Sequence, residues 1–198
     1  MTNNAIIYNL KNLHNLDKNI TRLTFNGNFN KKCKIPQNIT HLTFGYCFNQ
    51  KIIISLNITH LSVGNNFYKK IKLHNNIVRL SFDYYFNKKI KIPQNTIKLC
   101  FFWGCNKNVK IPHNVTHLSI KYKTIKKIPQ HVTHLRINMF HCNIQNKLII
   151  IPKNIIYLTL INCFGQIIQI PSHVTHLKIC QHSINNFTIP KHIKVSYL

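Results

Sequence analysis

The sequence predicts a mainly β protein built as a solenoid, with one short strand in each coil of about 19 residues. Three observations support this fold class. A leucine returns at a nearly fixed interval, an apolar residue follows it two positions later, and every proline keeps one place in the repeat. A unit of that length cannot hold a long helix, a strand and two turns, but it can hold one solenoid coil. We therefore expect about ten stacked coils and little helix.

The strand is marked by the leucine and by the residue two positions after it. The leucines stand 19 residues apart, except for one interval of 17 and the next of 23, at Leu23, Leu42, Leu61, Leu80, Leu99, Leu118, Leu135, Leu158 and Leu177. The second row is entirely apolar: Phe25, Phe44, Val63, Phe82, Phe101, Ile120, Ile137, Leu160 and Ile179. Such alternation is typical of a half-buried strand, so both rows should face the core.

The other positions of the unit complete the core and the return to the next strand. An aliphatic residue stands three positions before the leucine in every unit but one, where Thr96 replaces it. A second aromatic residue, such as Phe29, and an isoleucine such as Ile52 add apolar area. The seven prolines, from Pro36 to Pro190, belong outside the strands because proline has no N–H to donate. About six buried apolar side chains per coil, at ~1.5–3 kcal/mol each, are ample for a stack and marginal for one coil.

A polar row runs through the same frame. The position four residues before each leucine holds only Asn or His: Asn19, Asn38, Asn57, Asn76, Asn95, Asn114, His131, Asn154, His173 and, in the last unit, His192. Stacked amides at this position can hydrogen-bond along the solenoid.

We predict a single repeat domain over residues 1–198. Residues 16–188 hold nine full units and residues 189–198 an incomplete last one, whereas residues 1–15 form a partial first coil or an N-terminal cap.

The two ends of the chain carry separate expectations. Ile6 and Leu10 fall in phase with the two phenylalanines of the first full unit, which predicts that they point inward. The last unit stops within its expected strand, and Val195, Tyr197 and Leu198 provide no charge against edge pairing. We therefore expect a frayed last coil that is either disordered or associated with another chain.

The charge balance is strongly positive. Lys and Arg total 27 against two acidic residues, Asp17 and Asp83, which gives a formal net charge of +25. An A/T-rich coding sequence explains many lysines, but it should supply acidic residues as well. Such a chain attracts anions, whereas two distant acids form no carboxylate pair for acid–base work. Because no Gly-rich phosphate loop or HExxH motif is present, we expect neither an enzyme nor a cofactor.

Nothing in the sequence indicates export or a membrane. The N-terminus lacks the basic start and apolar run of a signal peptide, and no stretch approaches the ~20 apolar residues of a membrane span. The seven cysteines form no CxxC pair and mostly occupy apolar positions. We expect reduced, largely buried thiols and a cytoplasmic location, in the host cytoplasm if the protein is viral.

The stretches FNKKIKIPQN and IPQNITHLTFGYCFNQKI resemble the FNIP repeat, a short leucine-rich-repeat-like unit of giant DNA viruses and social amoebae. The resemblance covers residues 16–198 and depends on Phe-Asn, Ile-Pro and Leu-x-Phe in that order and at that spacing. It implies a curved, leucine-rich-repeat-like solenoid of parallel strands that binds proteins. Many relatives carry an F-box before the repeats, which docks a ubiquitin-ligase adaptor. The 15 residues before the first full unit are too few for an F-box, so we expect none here.

The residues flanking each leucine should point outward, onto the sheet face that such solenoids commonly use for binding. The row before the leucine reads Arg22, His41, His60, Arg79, Lys98, His117, His134, Tyr157 and His176. A straight row offers pairs of histidines rather than three or four converging ligands, so we expect no metal site. We expect a protein partner to bind along it.

Aromatic residues follow the strands of the middle coils, next to the cations of this outward row. They are Tyr84, Phe102, Trp103 and Tyr122. Trp and Tyr are enriched at binding hot spots. Two interpretations stay open: a partner-binding rim, or edge packing over neighbouring coils.

Lysines near the unit boundaries suggest an alternative function. The strip consists of Lys70, Lys72, Lys89, Lys91, Lys107, Lys110 and Lys127. It is either a solvated face or a binding strip for the phosphates of nucleic acid or another polyanion. The sequence thus favours a non-catalytic protein-interaction scaffold, related to the substrate-recognition arms of F-box/FNIP proteins, with a basic polyanion binder as the alternative.

Overall fold

The computed structural model describes residues 3–83, 90–102, 109–121, 128–139, 151–162, 168–180 and 187–198. The strands are β1 (Asn4–Ile7), β2 (Arg22–Phe25), β3 (His41–Thr43), β4 (His60–Val63), β5 (Arg79–Phe82), β6 (Lys98–Phe101), β7 (His117–Lys121), β8 (His134–Asn138), β9 (Tyr157–Ile161), β10 (Ile168–Gln169), β11 (His176–Ile179), β12 (Phe187–Thr188) and β13 (Lys194–Tyr197). A five-residue helix, α1 (Leu10–His14), lies between β1 and β2. Within these ranges no helix has the length and apolar character needed to cross a membrane.

Eleven of these strands form one parallel sheet, in which each strand pairs with the corresponding strand of the next coil. The remaining two, β10 and β12, pair with each other in a small second sheet. Leucine lies opposite leucine even across the irregular intervals, where Leu118 pairs with Leu135 and Leu135 with Leu158. The predicted mainly β, parallel-strand solenoid with little helix is therefore confirmed. Residues 140–149, where the extra length was expected, lie outside the described part of the chain.

The two predicted inward rows form the core. All nine leucines and all nine apolar residues two positions later are at most 3% exposed. Aromatic rings of successive coils stack on one another, with ring centroids 5.7 Å apart for Phe25 and Phe44 and 5.6 Å for Phe82 and Phe101. The buried hydroxyl of Thr96 is satisfied because it donates to the Ile77 carbonyl at 3.0 Å. One polar residue in the aliphatic row therefore leaves no unpaired group.

Most members of the row that holds only Asn or His donate hydrogen bonds to the preceding coil, with His131 Nε2 as an exception. Asn57 Nδ2 donates to the Gln37 carbonyl at 2.7 Å, and His192 Nε2 donates to the Ser172 carbonyl at 2.7 Å. The Nδ2–H of Asn and the Nε2–H of His can both reach a backbone carbonyl of the preceding coil. This shared donor accounts for the restriction of the position to two residue types. The acceptor is a backbone carbonyl, where the sequence suggested a ladder of amides.

The prolines begin the turns that lead into seven of the strands, and Asp17, Ser55 and His74 take the same place before β2, β4 and β5. The Pro36 carbonyl accepts the N–H of Ile39 at 3.2 Å, and the Pro112 carbonyl accepts that of Val115 at 3.1 Å. Proline suits this place because it fixes its own φ and needs no partner for an N–H.

The expectation that Ile6 and Leu10 point inward is wrong for Ile6, whereas Leu10 is partly buried against the core. Ile7 lies opposite Phe25 and is 1% exposed, whereas Ile6 is 56% exposed. A shift of one residue moves a strand side chain to the other face. Leu10 begins α1, in which Leu13 is the buried residue.

The last coil is ordered, against the expectation of fraying. Strand β13 pairs with β11, and Val195 packs against the core opposite Leu177. Tyr197 and Leu198 stay exposed, at 47% and 54%. Association of this coil with another chain remains a prediction.

Gly45 and Gly64 allow the close approach of successive coils. A Cβ at Gly45 would collide with the Asn26 carbonyl oxygen, whereas a Cβ at Gly27 would meet nothing within 4 Å. Gly45→Ala should lower the free energy of unfolding by about 3 kcal/mol because the coils must separate. The matched control, Gly27→Ala, should change it by less than about 0.5 kcal/mol. Urea denaturation followed by circular dichroism measures both, and equal effects would contradict this account of the stacking.

Candidate functional site

The side chains on either side of each inward leucine form the outer face of the eleven-stranded sheet, called the ladder face from here on. Strand pairing aligns its first row as Asn4, Arg22, His41, His60, Arg79, Lys98, His117, His134, Tyr157, His176 and Lys194. The second row follows the leucines and reads Thr24, Thr43, Ser62, Ser81, Cys100, Ser119, Arg136, Thr159, Lys178 and Ser196. A row of large cationic and aromatic side chains therefore runs beside a row of mostly small hydroxyls.

Each histidine of a Thr-His-Leu sequence contacts the threonine before it. The Oγ1–Nδ1 distance is 2.9 Å for Thr40–His41, Thr59–His60, Thr116–His117 and Thr133–His134, and 2.8 Å for Thr175–His176. Because Nδ1 is held in this way, the ring orientation is the same in each coil and Nε2 lies away from the threonine. The threonine therefore orients the histidine.

The oriented rings stack along the face. The first stack consists of His41 and His60, with ring centroids 3.9 Å apart. The second runs through His117, His134, Tyr157 and His176, with successive centroid distances of 3.9, 4.2 and 4.4 Å. A cation occupies the next place in the row at each end of both stacks. The flat faces of the rings are therefore covered by one another, and their edges face solvent.

Four of the stacked histidines favour the uncharged form at neutral pH. Burial lowers the pKa of His41, His60, His117 and His134, and nearby positive groups lower it further. For His117, burial together with the charges of His134 and Lys98 lowers the pKa to about 4. The positive charge of the ladder face therefore resides on its Arg and Lys side chains.

The small second row leaves a groove beside the first. One part, of about 420 Å³, lies over β1–β5, and a second, of about 470 Å³, lies over β5–β9. Arg79 and Ser81 line both parts, so the two adjoin. The larger part is lined by the cations Arg79, Lys98 and Arg136 together with the edges of the second ring stack.

The structure brings many of the predicted binding residues to this groove. Arg79, Lys98, Phe102, His117 and His134 line its larger part. His41 and His60 line the smaller part, and His176 ends the second stack. Of the predicted aromatic rim, Tyr84, Trp103 and Tyr122 lie outside the described residues. Met139, at the corresponding place after β8, is 1% exposed and belongs to the core.

The described members of the lysine strip lie outside the eleven-stranded sheet. Lys70, Lys72, Lys91 and Lys110 are exposed. Lys89, Lys107 and Lys127 lie outside the described residues.

Sequence reasoning placed the residue after each leucine on the outward face, but it did not include this second row, or Arg136, in the candidate site. The signal was present, because the residue after the repeat leucine is Ser, Thr or Cys in every full unit except at Arg136 and Lys178. A strand residue on the same face as the histidines must belong to the same surface.

The four described cysteines, Cys33, Cys47, Cys100 and Cys180, are reduced and half-buried. Cys100 lies in the second row of the ladder face. Burial raises the pKa of its thiol. Across the described ranges no three His, Cys, Asp or Glu side chains cluster as metal ligands would.

Comparison with known proteins identifies the repeat. The FNIP repeat family model matches residues 8–47 and 31–56. Residues 8–56 carry FNIP repeats. The strand register continues the same frame to β13, which pairs with the last Thr-His-Leu strand. A search of curated protein sequences finds no match.

A solved structure shares the fold. It is the crystal structure of CroV588, a circular leucine-rich-repeat protein from a giant virus, with a TM-score of 0.57 and 25% sequence identity. The similarity covers 92% of this chain and 34% of CroV588, so the FNIP chain spans about a third of that protein's length. Solenoids of this leucine-rich-repeat-like class commonly mediate protein interactions and are typically non-catalytic.

The low pKa of the stacked histidines is testable by substitution of a neighbouring charge. Lys98→Gln should raise the pKa of His117 and His134, because the Lys98 charge opposes their protonation, while burial keeps both below 6.5. NMR titration of the ring protons measures both values. Lys72→Gln, at an exposed lysine outside the sheet, is the control and should move neither. Equal shifts in the two variants would show that net charge, rather than position on the ladder face, sets the pKa.

Proposed function

We propose that this FNIP-repeat chain is a non-catalytic scaffold that holds a partner protein on the ladder face, in the groove over β5–β9. The observation that supports it best is the groove itself, which places guanidinium, ammonium, imidazole and phenol groups around small hydroxyls. Arg and Tyr are enriched at binding hot spots, and a groove excludes water from the contacts made inside it.

Repetition along the ladder face favours binding over catalysis. Every Thr–His pair has nearly the same geometry, so no pair is singled out as a nucleophile's base. The chain has only two acidic residues, so oriented acid–base pairs are scarce. A row of equivalent groups suits an extended partner. The role is comparable to that of the recognition arm in F-box/FNIP proteins, and the reduced thiols suit the cytoplasm.

A polyanion binder is the second candidate, because Lys70, Lys72, Lys91 and Lys110 are exposed in a chain of +25 net charge. Binding of nucleic acid through these lysines would weaken steeply with salt, with a slope set by the number of phosphate contacts. A groove contact built on aromatic edges and hydroxyls should depend less on salt.

Filling the groove tests the scaffold function. Ser81→Trp with Ser119→Trp places two large side chains in the second row and should reduce recovery of a specific protein from cell extract at least about tenfold, since a well-packed contact at a hot spot is lost. Lys72→Trp with Lys110→Trp is the matched control and should retain that protein. Quantitative mass spectrometry of the captured proteins gives the comparison, with circular dichroism to show that both variants fold. If no captured protein depends on the groove, the ladder face is not the binding surface.

A further inference from the structure

We infer that the groove over β5–β9 binds an extended acidic polypeptide segment whose carboxylates pair with Arg79, Lys98 and Arg136. This inference rests on the proposed scaffold function and specifies the chemistry of the partner.

The first argument is charge. The chain has 27 Lys and Arg against two acidic side chains. One of the two, Asp17, accepts the N–H of Asn19 at 2.8 Å in the turn before β2, away from the groove. The other, Asp83, follows β5, and its single charge is outnumbered by the three cations that line the groove. Arg79 and Lys98 lie directly opposite each other on neighbouring strands. Like charges at that distance repel, so an anion between them stabilises the pair and gains charge-assisted hydrogen bonds.

The second argument separates a polypeptide from a nucleic acid. Proteins that bind single-stranded nucleic acids stack bases on the flat faces of aromatic side chains. In the second ring stack those faces cover one another at 3.9–4.4 Å, so they are not open to bases. The groove presents ring edges and the hydroxyls of Ser81, Ser119 and Thr159. These groups are hydrogen-bonding partners for peptide N–H and C=O groups.

The third argument is spacing. Neighbouring strands lie about 4.8 Å apart, so the three steps from β5 to β8 carry Arg136 about 14 Å from Arg79 along the groove. An extended peptide rises about 3.4 Å per residue, which places side chains i and i+4 on one face about 13.6 Å apart. Acidic residues at i and i+4 therefore match Arg79 and Arg136, and one at i+2 falls within reach of Lys98.

Fluorescence anisotropy with two synthetic peptides tests the inference at near-physiological salt. One peptide has Glu at i, i+2 and i+4 in a Gln/Thr background, and the other has the same composition with the three Glu adjacent. The alternating peptide should bind at least about fivefold tighter, because only its carboxylates reach all three cations together. Equal affinity would overturn the spacing argument, and no binding of either peptide would overturn the inference.

Paired variants show whether position or total charge decides the affinity. Arg79→Gln with Arg136→Gln should weaken the alternating peptide at least about tenfold. Lys72→Gln with Lys110→Gln removes the same charge outside the sheet and should weaken it less than about threefold, because exposed distant charges are screened by salt. Equal losses would indicate unspecific attraction and contradict the inference. An oligothymidylate of the same charge as the alternating peptide is the nucleic-acid probe. If it binds tighter than the peptide and loses affinity in the Lys72→Gln/Lys110→Gln variant, the chain binds nucleic acid and the inference of an acidic polypeptide is overturned.

The outcome also separates this inference from the function on which it rests. If neither peptide binds but the Ser81→Trp/Ser119→Trp variant no longer captures a protein that the unaltered chain captures, the scaffold function stands and the inference of an acidic segment is wrong. If neither peptide binds and the variant captures the same proteins as the unaltered chain, the ladder face is not a binding surface.

Discussion

Hydrogen bonds between consecutive coils repeat at the same places in nearly every unit, and the rest of the structure depends on them. Before each strand one carbonyl accepts two N–H groups of the next coil, as the Thr21 carbonyl does from Thr40 at 2.8 Å and His41 at 3.1 Å. The strand ladder and the side-chain donors of the Asn or His row fix the same register. A given position of one coil therefore always meets the same position of the next. Each row of the sequence becomes a column of touching side chains.

Stacking along these columns explains both the core and the ladder face. Phenylalanines stack inside, and histidines with one tyrosine stack outside, because planar rings one coil apart cover each other's apolar surface. The threonine before each histidine holds the ring in the orientation that this contact needs. Arg and Lys side chains repel one another and do not form such stacks. They occupy the positions at the ends of the ring stacks, so the positive charge of the face lies there. The groove over β5–β9 lies where Arg79 and Lys98 interrupt the rings.

The fold could be predicted because the sequence shows two periods, one of two residues within each strand and one of about 19 residues between strands. The first identifies the inward leucine and its apolar partner, and the second indicates that these residues stack from coil to coil. The same reasoning failed at Ile6, because α1 separates β1 from β2 and the register there falls one residue from the repeat period. The row of histidines could be placed outward, but the ring stacks could not, since they depend on side-chain rotamers. The Asn row was recognised, but its acceptor was not, because a backbone carbonyl has no sequence signal.

The candidate site was predictable only in part. Arg79, Lys98 and His117 could be predicted because they occupy the position before the leucine. Arg136 lies in the row after the leucine, whose mostly small residues do not indicate a binding surface in the sequence. The groove itself follows from the size difference between the two rows, which becomes visible once both are placed on one face. No local pattern in the sequence describes the partner, since its chemistry depends on charges that are brought together from separate coils.

The most direct measurement is the location of a bound acidic segment. The alternating Glu peptide, carrying a photoreactive group at its centre, can be cross-linked to the full chain and the adducts mapped by mass spectrometry. Adducts in strands β5–β9, lost when unlabelled peptide competes, are the result that this account predicts. Adducts spread over the exposed lysines, such as Lys72 and Lys110, with none in those strands would contradict it.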